Sequence, residues 1–219
     1  MTSCEKNDDD TVKDIDGNEY VIIQIGKQKW MSKNLKTTRF NNGTPIENIS
    51  DNYFWQTDTL GGYSMYDNSG INNFTYGLLY NGYCVETEIL CPKGWHVPSN
   101  EEWNVLIEYL ISKGYNWDNS FELNRIAKSM ASTTGWNNAK EKGQVGFDQK
   151  NNNKSGFTAL PAGKRDENGR FKNIEHITGW WSSTNVHTIR SYWHLYSNRV
   201  DLGEYQTTNN SGFSVRCVK

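Results

Sequence analysis

Apolar positions along the chain fall into a few regular stretches separated by long polar runs. Trp103, Leu106, Ile107, Leu110 and Ile111 recur at i, i+3, i+4, i+7 and i+8, the spacing that lines one face of an α-helix. Just ahead, Ser99-Asn100-Glu101-Glu102 offers a capping hydroxyl followed three residues later by a carboxylate, and Gly114 stops the run. The pattern predicts a helix over Ser99–Lys113. A weaker start from Asn119 to Glu122 precedes a second stripe, Leu123, Ile126, Ala127 and Met130, and predicts a helix over Ser120–Ser132, ahead of Gly135. Burial of Trp103, Leu106, Leu110, Leu123, Ile126 and Met130 follows from the two stripes. Tyr20-Val21-Ile22-Ile23-Gln24-Ile25, the turn pair Gly26-Lys27 and Gln28-Lys29-Trp30-Met31 read as a hairpin, with Asp16-Gly17 turning ahead of it. Beyond Gly135 the pattern shortens into brief alternations, of which Ser191 to Ser197 and Phe213 to Val218 read best as strands. Residues 41–75 are rich in Asn and Gly, yet Trp55, Tyr63 and Tyr66 need something to pack on, so an ordered excursion is expected. The expectation is one α+β domain over 14–219, two helices packed on a mixed or antiparallel sheet with long irregular loops, after a polar tether over 1–13.

Composition sharpens this picture. With 35% hydrophobic residues in 219, the chain would be a candidate for disorder. Nine Trp and twelve Tyr argue the other way, because large rings fill a core with few residues. The 27 Asn and 19 Gly against four Pro point to long, ordered loops. The balance of 23 Lys+Arg to 25 Asp+Glu leaves no positive surplus for sequence-independent binding to nucleic acid, so no nucleic-acid partner is expected. No apolar run approaches the ~18 residues of a membrane span.

There are four cysteines, Cys4, Cys84, Cys91 and Cys217, and no C-x-x-C pair, which excludes a zinc ribbon or thioredoxin-like site. Cys4 follows Thr2-Ser3 and precedes the acidic stretch Glu5-Lys6-Asn7-Asp8-Asp9-Asp10. This start resembles a mature bacterial lipoprotein of the Bacteroidetes, in which a lipidated cysteine opens a flexible, acidic tether that marks export to the surface. The resemblance implies a signal segment upstream, lipid on Cys4, and an outer-membrane, cell-surface address reached through the anchor alone.

Three sets of strings resemble one family. The first is Asp14-Ile15-Asp16-Gly17-Asn18-Glu19-Tyr20, then Gly26-Lys27-Gln28-Lys29-Trp30-Met31 and Asn34-Leu35-Lys36-Thr37-Thr38. The second is Tyr76-Gly77-Leu78-Leu79-Tyr80-Asn81, then Cys91-Pro92-Lys93-Gly94-Trp95-His96-Val97-Pro98-Ser99 with Glu102-Trp103. The third comprises Ser155-Gly156-Phe157-Thr158-Ala159-Leu160-Pro161-Ala162-Gly163, Gly179-Trp180-Trp181-Ser182-Ser183-Thr184 and Gly212-Phe213-Ser214-Val215-Arg216-Cys217-Val218. In that order they look like the Fibrobacter succinogenes major paralogous domain, abundant in surface lipoproteins of Bacteroidetes and Fibrobacteres. The resemblance implies a C-type-lectin-like fold related to the formylglycine-generating sulfatase modifiers. It also implies a Cys91–Cys217 disulfide, with Cys84 the competing partner for Cys217; closing so long a loop is worth roughly 4–5 kcal/mol in the chain-entropy account. Trp95 and Trp103 are expected in the core, His96 as a packed imidazole satisfied locally, and at least one of Trp180 and Trp181 as core in preference to a sugar platform.

Chemistry is thin. The related oxidases use a cysteine pair near the C-terminal strands, where this chain has Trp193 and Asn198, and without a thiolate there is neither nucleophile nor soft copper ligand. His96, His176, His187 and His194 form no H-E-x-x-H, and no G-x-S-x-G or phosphate loop occurs. His187 and His194 could meet in space as a weak metal pair. The Pro-centred tripeptide of calcium-dependent lectins is missing, and Trp136-Asn137-Asn138 echoes only part of their other half-site. No catalytic residue, metal or cofactor is therefore expected. The leading expectation is a non-catalytic, surface-anchored binding or structural module whose partner is a glycan or a protein. Its candidate contact residues are Asn137, Asn185, Tyr205 and Asn209, on loops carried by a rigid scaffold. The alternative is a degenerate or uncharacterised enzyme of the sulfatase-modifier superfamily.

Overall fold

The computed structural model describes residues 10–187 and 189–219; Cys4 lies outside them. The predicted hairpin forms from β2 (Glu19–Ile25) and β3 (Gln28–Met31), paired from Ile22↔Met31 to Ile25↔Gln28. β1 (Thr11–Lys13) adds to the far side of β2 with Thr11 opposite Val21. Residues 11–13, expected to be tether, therefore belong to a sheet, because their backbone groups find ladder partners on β2.

The excursion over 41–75 is ordered, as its aromatics require. It holds β4 (Glu47–Asn48), the short helix α1 (Asn52–Thr57), β5 (Gly62–Ser64) and α2 (Gly70–Tyr76). β6 (Leu79–Asn81) and α3 (Gly82–Glu86) follow, then α4 (Asn100–Ser112) and α5 (Ala127–Met130). The remaining strands are β7 (Lys164–Arg165), β8 (Phe171–Lys172), β9 (Ile177–Val186), β10 (Ile189–Tyr196), β11 (Gly203–Thr208) and β12 (Gly212–Phe213). β9, β10 and β11 make an antiparallel sheet with β10 in the middle, and six short strands run in the order β4-β5-β6-β12-β7-β8. Beyond β12 the last residues pair on both sides: Lys29 and Lys219 exchange backbone bonds, and so do His96 and Val218. The class is α+β, rich in sheet and poor in helix.

α4 is as its sequence dictates. Ser99 Oγ accepts from the Glu102 N–H, and Glu102 returns the bond to the Ser99 N–H at 2.9 Å. Its stripe of Trp103, Leu106, Ile107 and Leu110 is buried. The second expected helix is not formed over its length; α5 keeps one turn. The cause is Asn116, whose buried side-chain amide donates to the carbonyls of Ser120, Glu122 and Leu123 while its oxygen accepts from Arg125 N–H. Those carbonyls are the ones a helix would use internally, so the stretch folds around the amide as a loop. Leu123, at φ 59°, turns outward and is 67% exposed, against the burial its stripe predicts. Ile126 and Met130 are buried as expected.

Two apolar clusters share β9 as their partition. Alternating side chains leave a strand on opposite faces, and Trp180 and Trp181 follow that rule. Trp180 joins Trp30, Trp103, Phe157 and Trp193, with Trp103 4.8 Å from Trp30 and 5.7 Å from Trp180. Trp181 joins Tyr80, Phe213 and Met31 on the other face. Both indoles are fully buried, so neither is a sugar platform. Cys91 and Cys217 are disulfide-bonded, with Cα atoms 6.0 Å apart and a separation of 126 positions in sequence. Cys84 is the free thiol among the described residues, buried against the Gly62 carbonyl.

The contrast between the two stripes is measurable. Leu110→Ala in α4 should lower unfolding free energy by about 2–5 kcal/mol, whereas Leu123→Ala should change it by less than about 0.5 kcal/mol. Urea unfolding of both variants checks this, and a comparable loss at Leu123 would restore the longer helix.

Candidate functional site

One carboxamide organises the centre of the molecule. Asn34 follows β3 and is buried. Its Oδ1 accepts from Trp180 Nε1 at 2.9 Å and from Arg216 Nε and Nη2 at 3.2 and 2.9 Å. Its Nδ2 donates to the Tyr76 carbonyl at 2.9 Å and to Ser214 Oγ at 3.1 Å. Arg216 Nη1 also donates to the carbonyls of Met31 and Phe157, and its guanidinium lies over the Phe157 ring at 4.4 Å. Burial pushes the guanidinium down to about 9, so it stays charged at neutral pH.

Above this node lies a cleft of about 390 Å³. One wall is the start of β2 and the stretch Ser32–Lys36; the other is α2. Gly77 closes α2 at φ 81°, and a Cβ there would sit 2.9 Å from the Leu35 carbonyl, so glycine is what lets the helix end approach the stretch around Asn34. Asn34 and Arg216 belong to the floor, with Lys33 and Lys36 beside them. An adjoining recess of about 430 Å³ shares Lys36, Asn73 and Phe74 and extends toward Asp16 and Asn18. Phe74 stands 85% exposed at the rim, and the Oδ1 of Asn73 is buried without a partner among the described residues.

The cleft is rigidly framed. The Tyr20 hydroxyl donates to Asp14 at 2.6 Å and accepts from the Lys36 N–H at 3.0 Å; burial and Asp14 push that phenol far upward, so it keeps its proton. Across the cleft, Thr158 adopts φ 56°, a left-handed conformation that a β-branched side chain rarely takes. Asn153 holds it there, accepting from its N–H at 2.8 Å and donating to its hydroxyl at 2.9 Å. Strain of this kind concentrates where a surface must have one fixed shape. Amides, hydroxyls, ammonium groups, a carboxylate and an exposed ring make up the lining: groups that hold a ligand by shape, charge and hydrogen bonds.

The model of the Fibrobacter succinogenes major domain matches residues 23–219. The chain belongs to that family. No curated protein and no solved structure gives a match. The strings that carry the resemblance to the Fibrobacter succinogenes major domain are, in space, the parts of the node. Asn34 comes from the first set, Tyr76 and Gly77 from the second, and Phe157, Trp180, Ser214 and Arg216 from the third. Each of the three sets thus contributes to one buried hydrogen-bond network with a cleft above it.

The residues nominated from sequence lie elsewhere. Asn137 is exposed on its loop, where its N–H donates to the Glu175 carbonyl; neighbouring Trp136 is buried against Ser132. Asn185 is exposed near the end of β9, opposite Arg190. Asn209 is not an exposed contact: it is buried, accepting from Arg190 Nε and donating to Glu86 at 2.6 Å, because the turn after β11 packs on α3. Tyr205 on β11 is half-exposed and covers His194, ring to ring at 4.2 Å. None of the four lines the cleft. Trp193 fills volume and donates to Asn100 at 3.0 Å, and Asn198 is exposed. His96 is exposed and paired with Glu102 at 2.7 Å, so it is satisfied locally without being packed. His187, in the turn before β10, and His194, near its far end, do not meet. Sequence reasoning missed Lys33, Lys36, Asn73 and Phe74. The available signal was Ile71 and Phe74, an apolar i, i+3 pair in a polar segment with no third member to complete a buried face.

His194 offers a pH test. Its ring is buried among Tyr192, Tyr196 and Tyr205, its Nδ1 has no partner among the described residues, and burial, with Arg199 adding, holds it down at about 4 from 6.5. The unfolded chain therefore takes up the proton first. The stability this group contributes is complete above pH 6.5 and falls away as pH drops toward 4. His194→Gln should make unfolding free energy less steep between about pH 7 and pH 5 than in the wild type; an unchanged slope in urea titrations would remove His194 as a source of acid sensitivity.

Proposed function

We propose that the domain is a non-catalytic recognition module that takes a glycan in the cleft beneath Phe74. The observation that carries this reading is the exposed Phe74 ring at the rim of a cleft whose floor is locked by the Asn34 network. A sugar presents apolar C–H faces and a rim of hydroxyls. An aromatic ring suits the first, and amides, lysines and a carboxylate suit the second. A protein partner would be served by a broad apolar patch, whereas here the exposed apolar pair of Ile71 and Phe74 borders a cleft set with lysines, amides and a carboxylate.

We further infer a C-type-lectin-like fold. Support comes from the final residues pairing with β3, from a disulfide that ties the stretch ahead of α4 to the end of the chain, and from the long ordered loops between them. Lipid on Cys4, with the acidic run after it as spacer, would hold the module at the outer-membrane surface, and the start of the sequence supports that address. The oxidase chemistry of the related sulfatase modifiers needs a reactive thiol. Cys84 is the free thiol among the described residues, and burial raises it well above its ordinary value, which disfavours the thiolate.

Titration of the purified domain with a panel of oligosaccharides, with and without calcium, should find binders whose affinity drops about tenfold or more in Phe74→Ala while the unfolding midpoint holds. Silence across the panel, or affinity undiminished in the variant, counts against the cleft as a glycan site. For the anchor, Cys4→Ala in the precursor carrying its signal segment should move the protein from the membrane fraction to the soluble one. Retention in membranes would defeat that inference.

A further inference from the structure

We infer that the cleft selects an acidic glycan, one bearing a carboxylate or sulfate group, and that Lys33, Lys36 and Arg216 bind this group. The inference rests on the cleft being the recognition site and names the chemistry of what enters it.

The charges facing the cleft are unequal. Lys33 and Lys36 line it from the stretch after β3, and Arg216 underlies it. Against these three, Glu19 on β2 is the carboxylate that lines the deeper part. Asp16 borders the outer recess, but its carboxylate is already engaged. It accepts from Thr38 N–H at 2.6 Å, Thr38 Oγ1 at 2.9 Å and Thr37 Oγ1 at 3.2 Å, with Arg39 Nε at 3.4 Å. α2, Thr158 and Leu160 bring no acid to the lining. Neither lysine forms an ion pair among the described residues.

Arg216 makes the imbalance consequential. Three guanidinium groups are buried among the described residues, and the other two have acids close by. Arg190 pairs with Glu86 at 3.4 Å, and Asp51 and Asp166 act on Arg165. Arg216 is 1% exposed and bonded entirely to neutral acceptors, the Asn34 amide oxygen and two carbonyls. Four of its five N–H groups have partners, and one hydrogen on Nη2 has no protein acceptor among the described residues. A buried cation without a counter-charge attracts an anion strongly, because burial weakens dielectric screening. The cleft is the accessible side from which that anion would come. A neutral sugar hydroxyl answers the hydrogen bond and leaves the charge.

Three oligosaccharide arms test this by isothermal titration: an oligouronate, a sulfated oligosaccharide and an uncharged oligosaccharide of the same length. At least one acidic arm should bind about tenfold or more tightly than the neutral one, and the preferred arm shows whether carboxylate or sulfate is selected. The preference should shrink as salt rises. It should also vanish in Lys33→Ala/Lys36→Ala, with the unfolding midpoint retained, and persist in Lys140→Ala/Lys142→Ala, a pair of exposed lysines outside the cleft. Equal affinity for charged and neutral arms overturns the anionic selectivity while leaving the glycan site standing. Acid preference that survives loss of Lys33 and Lys36, or that disappears in the Lys140/Lys142 control, overturns the assignment to these residues. Absence of binding in every arm overturns both the inference and the site.

Discussion

The structure depends on one constraint: a buried amide at Asn34 must satisfy a buried indole N–H and a buried guanidinium at once. Its oxygen takes three donors and its nitrogen gives two. Five segments separated widely in sequence are thereby fixed at one point: the stretch after β3, the end of α2, the Phe157 loop, β9 and the C-terminal residues. The logic suits a chain with 35% hydrophobic residues. Where apolar surface is scarce, backbone carbonyls gathered around a guanidinium do part of the work of a core. Arg165 repeats the device, collecting the carbonyls of Ile49, Ser50, Asp51 and Gly169 while stacked 4.3 Å from the Trp55 ring. Such centres add little net stability against an apolar substitute, but they tolerate few alternative arrangements.

Aromatic residues supply the complementary term. The run Ile177–Ser182 is buried on both faces of β9, so its successive tryptophans are shared between two clusters, each with its own partners. Loop-heavy regions rest on this partition. The cleft borrows rigidity from it through Trp180, whose ring packs in one cluster while its N–H reaches the node.

What the sequence disclosed follows from range. α4 and the β2–β3 hairpin were legible because period, cap and turn lie within a dozen residues of each other. The second helix failed at the same scale, because a single buried amide at Asn116 outbid the stripe of Leu123 and Ile126 for the local carbonyls, and side-chain competition of that kind leaves no periodic trace. The disulfide was legible only through family resemblance. The cleft was not legible at all. Lys36, Phe74, Thr158 and Arg216 are brought together by the fold, and each in isolation is unremarkable. Asn209 misled for the same reason: an Asn in a turn reads as a loop contact until Arg190 and Glu86 are seen on either side of it.

The pairing of the final residues with β3 and with His96 has a consequence for how the molecule comes into being. Arg216, Cys217 and Val218 complete the node, the covalent loop and the ladder, each reaching back more than a hundred residues, to Asn34, Cys91 and His96. Little of the centre can settle before those three residues have been made, since the segments they join wait for them. Contacts so distant in sequence make for slow assembly. A nascent chain of this kind stays threadable until its Arg216–Val218 stretch is present, and only then can the centre close.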